Sequence, residues 1–252
     1  MKNENLFDVS KKIVFITGAS SGIGQSAAIC LAKNGAKVVG IARREDKLKH
    51  WCETCEGETS YYLADVSNRK NIKNIVLDII DKEGEPDILV NAAGINTREH
   101  ADDVTLEGWD KTLDLNLSTP FFMAQSVIEG MKKKNWGRII NYASLASRRA
   151  LPSSISYGAS KGGIEQLTRA MAEAWSKFGI NTNAIAPGFF PTELTVPVFN
   201  DTERTKRNAQ QTCIGRNGKL EDLDGPLLFL CSRSSDYVTG QLLFVDGGFT
   251  AK

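Results

Sequence analysis

The sequence has no long apolar run. The stretch Ile13–Ile16 is far too short for a signal-peptide core or a membrane span, and Met1–Lys12 before it is polar. A cytoplasmic protein with no membrane partner is expected. Net charge is nearly absent as well. The 252 residues carry 31 Lys and Arg against 30 Asp and Glu, a formal +1, with both signs mixed along the chain. A nucleic-acid binder shows a clustered basic footprint, so no nucleic-acid partner is expected, and most charges read as solvated surface. There is no internal repeat, low-complexity tract or Pro/Gly/Ser linker. Cysteine is sparse and odd in number, five in all, which argues against a disulfide framework. His50, Cys52 and Cys55 stand close in His-Trp-Cys-Glu-Thr-Cys. A structural zinc site wants four ligands and no second His/Cys pair follows, so no metal is expected and the two thiols read as a helix end or loop.

What is present is an ordinary globular composition, 41% hydrophobic and 24% charged, in a chain long enough for a sizeable core. Short apolar runs alternate with longer amphipathic stretches. The candidate strands are Lys12–Thr17, Lys37–Ala42, Thr59–Ala64, Asp87–Asn91, Gly137–Tyr142, Ile180–Ile185 and Gln241–Val245. Several are nearly all apolar and rich in Val and Ile, the pattern of strands buried on both faces of a parallel sheet. Between them lie helical stretches, notably Gly22–Asn34, Arg69–Glu83, Trp109–Lys133, Ser156–Lys177 and Leu220–Cys231. This alternation predicts an α/β fold: one doubly wound domain over 1–252, with a mostly parallel seven-stranded sheet and helices on both faces. Ligands in such sheets bind beyond the carboxyl ends of the strands. Phe190–Arg216 has weak periodicity and two prolines, Pro191 and Pro197, and reads as a mobile excursion with a short helix. A substrate lid is therefore expected at about 190–216.

The first strand runs into Thr17-Gly18-Ala19-Ser20-Ser21-Gly22-Ile23-Gly24, and a helix follows. Glycines permit the tight turn and let backbone approach a pyrophosphate, while the helix N-terminus offers unpaired N–H groups and a favourable dipole. Buried strand, glycine turn, helix and second strand in succession are the setting of a Rossmann-type nucleotide site.

The glycines at 18, 22 and 24 depart from the usual G-x-G-x-x-G and give T-G-x-x-x-G-I-G. That spacing resembles the short-chain dehydrogenase/reductase family, and the likeness continues along nearly the whole chain. Asn91-Ala92-Ala93-Gly94 resembles the family's N-N-A-G, with Ala at its second place. Asn116 in Leu-Asn-Leu, Ser144 after the fifth strand and Tyr157-Gly158-Ala159-Ser160-Lys161 match its catalytic positions. Pro187-Gly188 with Thr192 and the closing Val245-Asp246-Gly247-Gly248 complete the set. Within the family the sequence looks most like the sugar-acid branch of gluconate 5-dehydrogenase and 2-deoxy-gluconate 3-dehydrogenase types. The resemblance implies an NAD(P)-dependent enzyme interconverting a secondary alcohol and a ketone by hydride transfer on a sugar acid or polyol, commonly as a homotetramer. The tetramer interfaces would be Trp109–Lys133, Ser156–Lys177 and the C-terminal segment.

For the cofactor, a carboxylate ending the second strand suits the ribose hydroxyls of NAD, and an Arg nearby suits the 2′-phosphate of NADP. The strand ends Gly40-Ile41-Ala42-Arg43-Arg44. By resemblance Ala42 stands where NAD-dependent members place Asp, and Arg43 and Arg44 where NADP-dependent members place a basic residue. NADP(H) is thus expected to be preferred, with NAD(H) also accepted; two solvated loop arginines are the alternative. The resemblance further places Ser20, Ser21, Ile23, Asp65, Val66, Asn91, Ala92, Gly94, Pro187, Gly188 and Thr192 around the cofactor, Thr192 against the nicotinamide amide. Asp65 read alone is equally a helix cap.

Tyr157 and Lys161, four apart, share one helix face. A lysine cation, and the oxidised nicotinamide beside it, would lower the phenol toward working pH and make Tyr157 the general acid/base. Ser144 is expected to donate to the substrate oxygen, with Ser147 as its rival; the family's spacing of about a dozen residues between serine and tyrosine favours Ser144. By resemblance only, Asn116 positions a water that links Lys161 to solvent. Arg98 and Arg148 are the candidate substrate-binding cations, able to hold a carboxylate or phosphate, and Arg149 stands beside Arg148. The second functional reading is a 3-oxoacyl-carrier-protein reductase, with Arg148, Arg149, Arg204, Lys206 and Arg207 as a basic surface near the site mouth that docks an acidic carrier. A minor third is a dinucleotide-binding regulator without turnover.

Overall fold

Parallel strands need a crossover between each pair, and this chain supplies one almost every time. The computed structural model describes residues 6–252, so residues 1–5 of the polar start lie outside the described residues. The strands are β1 (Ile13–Thr17), β2 (Lys37–Ala42), β3 (Thr59–Leu63), β4 (Ile88–Asn91), β5 (Gly137–Tyr142), β6 (Ile180–Pro187) and β7 (Leu242–Val245). They form one seven-stranded sheet in the order β3-β2-β1-β4-β5-β6-β7. Each pairing is parallel, so the expected mostly parallel sheet is parallel throughout.

The helices are α1 (Gly22–Lys33), α2 (Glu45–Thr54), α3 (Ile72–Glu83), α4 (Leu106–Leu113), α5 (Thr119–Lys134), α6 (Ile155–Trp175), α7 (Val196–Phe199), α8 (Thr202–Gln211) and α9 (Asp224–Cys231). Strand alternation sorts the core into two layers. Val14, Ile16, Val38 and Val90 pack on one face with Leu31 of α1, Trp51 of α2 and Leu227 of α9. Phe15, Val39 and Leu89 pack on the other with Val76 of α3, Met123 and Val127 of α5 and Met171 of α6. Fully burying each such side chain stabilises the fold by about 1.5–3 kcal/mol.

Two elements differ from the sequence expectation. α2 was not among the expected helical stretches, although its two thiols read as a helix end or loop, and they stand at its end. Only Leu48 and Trp51 of its ten residues are buried, too sparse a stripe to show as periodicity. Trp51 lies against Gly40 of β2, where a Cβ would sit 2.5 Å from the indole ring. His50 and Cys52 ride on this helix. Among the described residues no group of three or more His, Cys, Asp or Glu is arranged to hold a metal. The expected helix Trp109–Lys133 is helical throughout but carries a π turn. α4 ends at Leu113, residues Asp114–Ser118 form a π turn, and α5 begins at Thr119 with Pro120 in its first turn. The backbone stays helical through the junction, and Thr119 N–H bonds back to Asp114 O, so the π turn adds one residue just ahead of Pro120, which has no N–H to give. The segment 190–216 holds two short helices, α7 and α8, after a 3₁₀ turn at Glu193–Thr195.

The strand order reverses direction between β1 and β4, and the loops leaving these two strands part over the sheet's carboxyl edge. Thr17 Oγ1 accepts from the N–H groups of Ala92 and Ala93, each at 3.2 Å, and locks the two strand ends together at that point. Among the described residues no helix is long and apolar enough to cross a membrane.

Candidate active site

A cavity of about 570 Å³ opens at this reversal point, within the usual size of small-molecule sites. One end is built by the turn after β1. Gly18 has φ +75°, and a Cβ there would lie 2.8 Å from Ala93 N; a Cβ on Gly24 would lie 2.4 Å from Gly18 O. The turn is therefore as tight as its glycines allow. Ser21 precedes α1 in an extended conformation and makes no side-chain cap, so the first N–H groups of α1 have no cap from it. Its hydroxyl instead accepts from Arg44 Nη2 at 2.6 Å. Arg43 lies 3.7 Å from Asp65. A dinucleotide fits this cradle: backbone that can approach a pyrophosphate, a helix N-terminus behind it and two arginines beyond.

The other end is built by α6 and by the loops after β4 and β5. On α6 the residues Lys161, Ile164, Thr168 and Met171 are buried along one face toward the sheet, and Tyr157 continues that stripe into the cavity. Lys161 Nζ donates to the Tyr142 carbonyl at 2.6 Å and sits 5.7 Å from the Tyr157 ring centroid. Burial pushes the Lys161 ammonium down to about 8. Tyr157 is partly exposed because it faces the cavity, yet it lies deep enough that burial raises its phenol. The hydrogen bond with Ser144 and the charge of Arg98 oppose that rise. The lysine points its charge at a backbone carbonyl, and the cation acting on the phenol from across the cavity is Arg98.

Ser144 lines the cavity, whereas its rival Ser147 donates to the Lys161 carbonyl at 2.7 Å and is engaged in holding α6. Asn116 lies in the π turn, buried. Its Nδ2 donates to Ile95 O at 2.8 Å and to Ser160 Oγ at 3.1 Å, and its Oδ1 accepts from Ile95 N at 2.9 Å. It ties the loop after β4 to α6 rather than facing the cavity. Arg98 adopts φ +56°, rare for a non-glycine residue, and donates to the Leu194 carbonyl at 2.8 Å. Burial lowers its guanidinium, with Arg204 adding to the effect.

Of the residues expected around the cofactor, Gly18, Ser20, Ser21, Gly22, Ile23, Gly24, Arg43, Arg44, Asp65, Val66, Ala92, Gly94, Pro187, Gly188 and Thr192 line the cavity. Asn91 does not. Its amide crosses the sheet to Asn141 Oδ1 at 2.9 Å, which is strand-to-strand bonding. Arg148 is a second correction. The 3₁₀ turn Leu145–Ser147 carries it outward to Glu165, at 2.7 Å, and over the Phe244 ring. Arg149 likewise stacks over Phe249 outside the cavity. Two charged residues of the cavity wall were not assigned there from the sequence. Arg204 was placed on a docking surface, and Glu193 was not singled out, because neither lies in a segment with periodicity that would orient it.

The chain is similar along nearly its whole length to known dehydrogenases and reductases. Residues 18–250 match the enoyl-(acyl carrier protein) reductase family. The 2-dehydro-3-deoxy-D-gluconate 5-dehydrogenase of Dickeya dadantii is 38% identical over 250 residues, covering 98% of this chain and 99% of its own. The 3-oxoacyl-acyl-carrier-protein reductase of Vibrio cholerae is 35% identical over 237 residues, 94% of this chain and 96% of its own. A crystal structure of a gluconate 5-dehydrogenase from Burkholderia cenocepacia, in complex with NADP and tartrate, superposes with a TM-score of 0.93 at 34% identity, covering 98% of each chain.

Proposed function

The chain belongs to the short-chain dehydrogenase/reductase family of oxidoreductases, and on that premise we propose that it interconverts a secondary alcohol and a ketone on a sugar acid, using NADP(H) in preference to NAD(H). The observation that carries this reading is the meeting of Tyr157, Ser144 and Arg98 at one end of a cavity whose other end is the glycine turn and Arg44. When bound, the nicotinamide accepts or gives the hydride. Tyr157 Oη takes the hydroxyl proton during oxidation and returns it to the carbonyl oxygen during reduction. Ser144 Oγ hydrogen-bonds that same oxygen and keeps Tyr157 aimed at it. Lys161 supplies positive charge behind the tyrosine, held at its height by the Tyr142 carbonyl. Asn116 is a positioning residue that fixes the loop carrying Ile95 against α6.

The sugar-acid reading is supported by two guanidinium groups on the cavity wall, Arg98 and Arg204, neither of which has an ion pair among the described residues. A substrate carboxylate satisfies both. The acyl-carrier reading loses support from the same residues. Of its expected docking patch, Arg204 lines the cavity and Arg148 is bound to Glu165. The NADP preference rests on Arg43 and Arg44 beyond β2. The segment 190–216 serves as the lid. A homotetramer is supported by exposed Leu106 and Ile155, just ahead of the expected interface stretches Trp109–Lys133 and Ser156–Lys177, and by exposed Leu243 in the C-terminal segment.

The test is a panel of sugar acids, polyols, simple ketones and a 3-oxoacyl thioester, each with NADP(H) and NAD(H), followed by cofactor absorbance. Turnover of a sugar acid is expected; turnover of the thioester alone would sink the reading. Arg98→Met sharpens it. A charged hydrogen bond is worth about 1.5–3 kcal/mol, so KM for the sugar acid should rise roughly 10- to 100-fold. KM for an uncharged polyol should stay within about threefold, since no charged pair is lost. Equal effects on both substrates would show that Arg98 holds the lid and not a carboxylate.

A further inference from the structure

Arg44 is held on all sides. Its Nη2 donates to Ser21 Oγ at 2.6 Å and Ser20 Oγ at 3.0 Å, and its Nε reaches Ser20 Oγ at 3.3 Å. Its Nη1 is taken by Glu193 Oε2 at 2.7 Å, from a residue 149 positions further along the chain. Ser21 also hydrogen-bonds Glu193, and together these contacts hold its carboxyl below the usual carboxylate range. The carboxylate therefore contacts the same arginine and serine side chains that would grip a phosphate on the ribose. Glu193 opens the 3₁₀ turn Glu193–Thr195, where Thr192 and Thr195 cap each other. The next residue, Leu194, is held from the opposite side by Arg98. The Thr192 side chain rests on Gly22, where a Cβ would come within 3.3 Å of it. One short turn of the segment 190–216 is thus latched to the cofactor turn by Arg44 and to the substrate end by Arg98.

We propose that Glu193 is an internal occupant of the phosphate subsite made by Arg44, Ser20 and Ser21, so that the 2′-phosphate of NADP(H) displaces it and frees one of the two latches, whereas NAD(H) leaves both in place. This rests on the reading of Arg44 as the phosphate-binding arginine. It makes Glu193 a specificity-determining residue that opposes NADP(H) binding. Both members of the pair are about half exposed, 44% and 54%, so the pair is weak and a dianion held by the same groups outcompetes it. Arg44 is then released to the phosphate, and the turn at 192–195 keeps only its hold on Arg98.

Adenosine 2′,5′-bisphosphate and 5′-AMP separate the phosphate from the nicotinamide, whose expected partner is Thr192 in the same turn. In Glu193→Gln the Kd for the bisphosphate, measured by calorimetry on the full chain, should fall about three- to tenfold, from the lost competitor and the lost like charge. The Kd for 5′-AMP should not move. In the unaltered protein, hydrogen exchange of the 192–195 amides should speed up on adding the bisphosphate and not on adding 5′-AMP. In Glu193→Gln it should already be fast without either. An unchanged bisphosphate Kd in Glu193→Gln, or exchange that ignores the bisphosphate, overturns the proposal. Arg44→Ala distinguishes the failures. If it leaves the preference for the bisphosphate over 5′-AMP intact, Arg44 is not the phosphate-binding arginine, Arg43 holds the phosphate, and the premise of the latch is wrong. If it abolishes that preference while Glu193→Gln changes nothing, only the latch is wrong.

Discussion

Tyr157→Phe is expected to lower kcat by about 10²- to 10⁴-fold, the range of a lost general acid/base. NADP(H) affinity, read by fluorescence titration, should stay within about twofold, because the change deletes one hydroxyl and leaves the glycine turn, Arg43 and Arg44 untouched. The reason for so large a loss is geometric. Among the residues that line the reacting end, Tyr157 and Ser144 share a hydrogen bond and point at the same volume. Ser144 is a hydroxyl with no base to activate it, while Tyr157 sits on the face of α6 that carries a cation one turn away. A variant that keeps more than about a tenth of the wild-type rate would remove Tyr157 from the chemistry, since acid/base groups contribute at least a hundredfold. Full cofactor binding with no turnover by the unaltered protein on any substrate would favour the regulator reading instead.

Lys161→Met is expected to abolish most activity and to raise stability at neutral pH. The ammonium is buried, and its fall to about 8 from the ordinary 10.5 means that burial disfavours the charged form by roughly 3 kcal/mol. Methionine fills the same space without the charge. It also leaves the Tyr142 carbonyl without its donor, which returns about 1–3 kcal/mol of the gain, so the net at pH 7 is small and positive. The pH dependence is the stronger signature. Between about 8 and 10.5 the unfolded chain, with an ordinary lysine, holds more protons than the folded one. Folding stability therefore rises with pH across that window in the wild type, by roughly 2–3 kcal/mol from this one group. Lys161→Met lacks the contribution. Chemical denaturation at pH 7 and pH 10 should show the variant's advantage shrinking and then reversing. An advantage that is the same at both pH values would mean that the lysine is not desolvated in the folded chain.

Much of this was legible in the sequence because the legible parts are local. A strand buried on both faces shows as a Val- and Ile-rich run, and a tight phosphate turn shows as glycines at fixed spacing, so β1, the turn and α1 could be read directly. Tyr157 and Lys161 could be paired because helix geometry alone puts them on one face. What could not be read depends on partners far along the chain. Arg148 and Arg98 are alike as residues on loops after strands. Only the outward 3₁₀ turn, and Glu165 waiting on α6, send Arg148 to the surface. Glu193 carries no local signal, since its meaning comes from an arginine 149 residues away. α2 was hidden because two buried side chains suffice to seat a short helix that Gly40 lets lie close. Spacing reports that a lysine is near Tyr157 but not that its ammonium points at the Tyr142 carbonyl.

The π turn at Asp114–Ser118 has a consequence for how this fold tolerates change in length. It is one residue of slack wound into a helix, and Asn116 faces the Ile95 backbone only because that residue is there. An α-helix advances about 100° per residue, so a chain one residue shorter between Leu113 and Thr119 would close into ordinary helix and swing one flank away from its partner. Either Asn116 would leave the loop after β4 or α5 would lose its register on the sheet. The glycine turn after β1, which Asn116 does not touch, would be unaffected. A lineage losing that residue would keep its nucleotide pocket and lose the geometry that makes the pocket reactive.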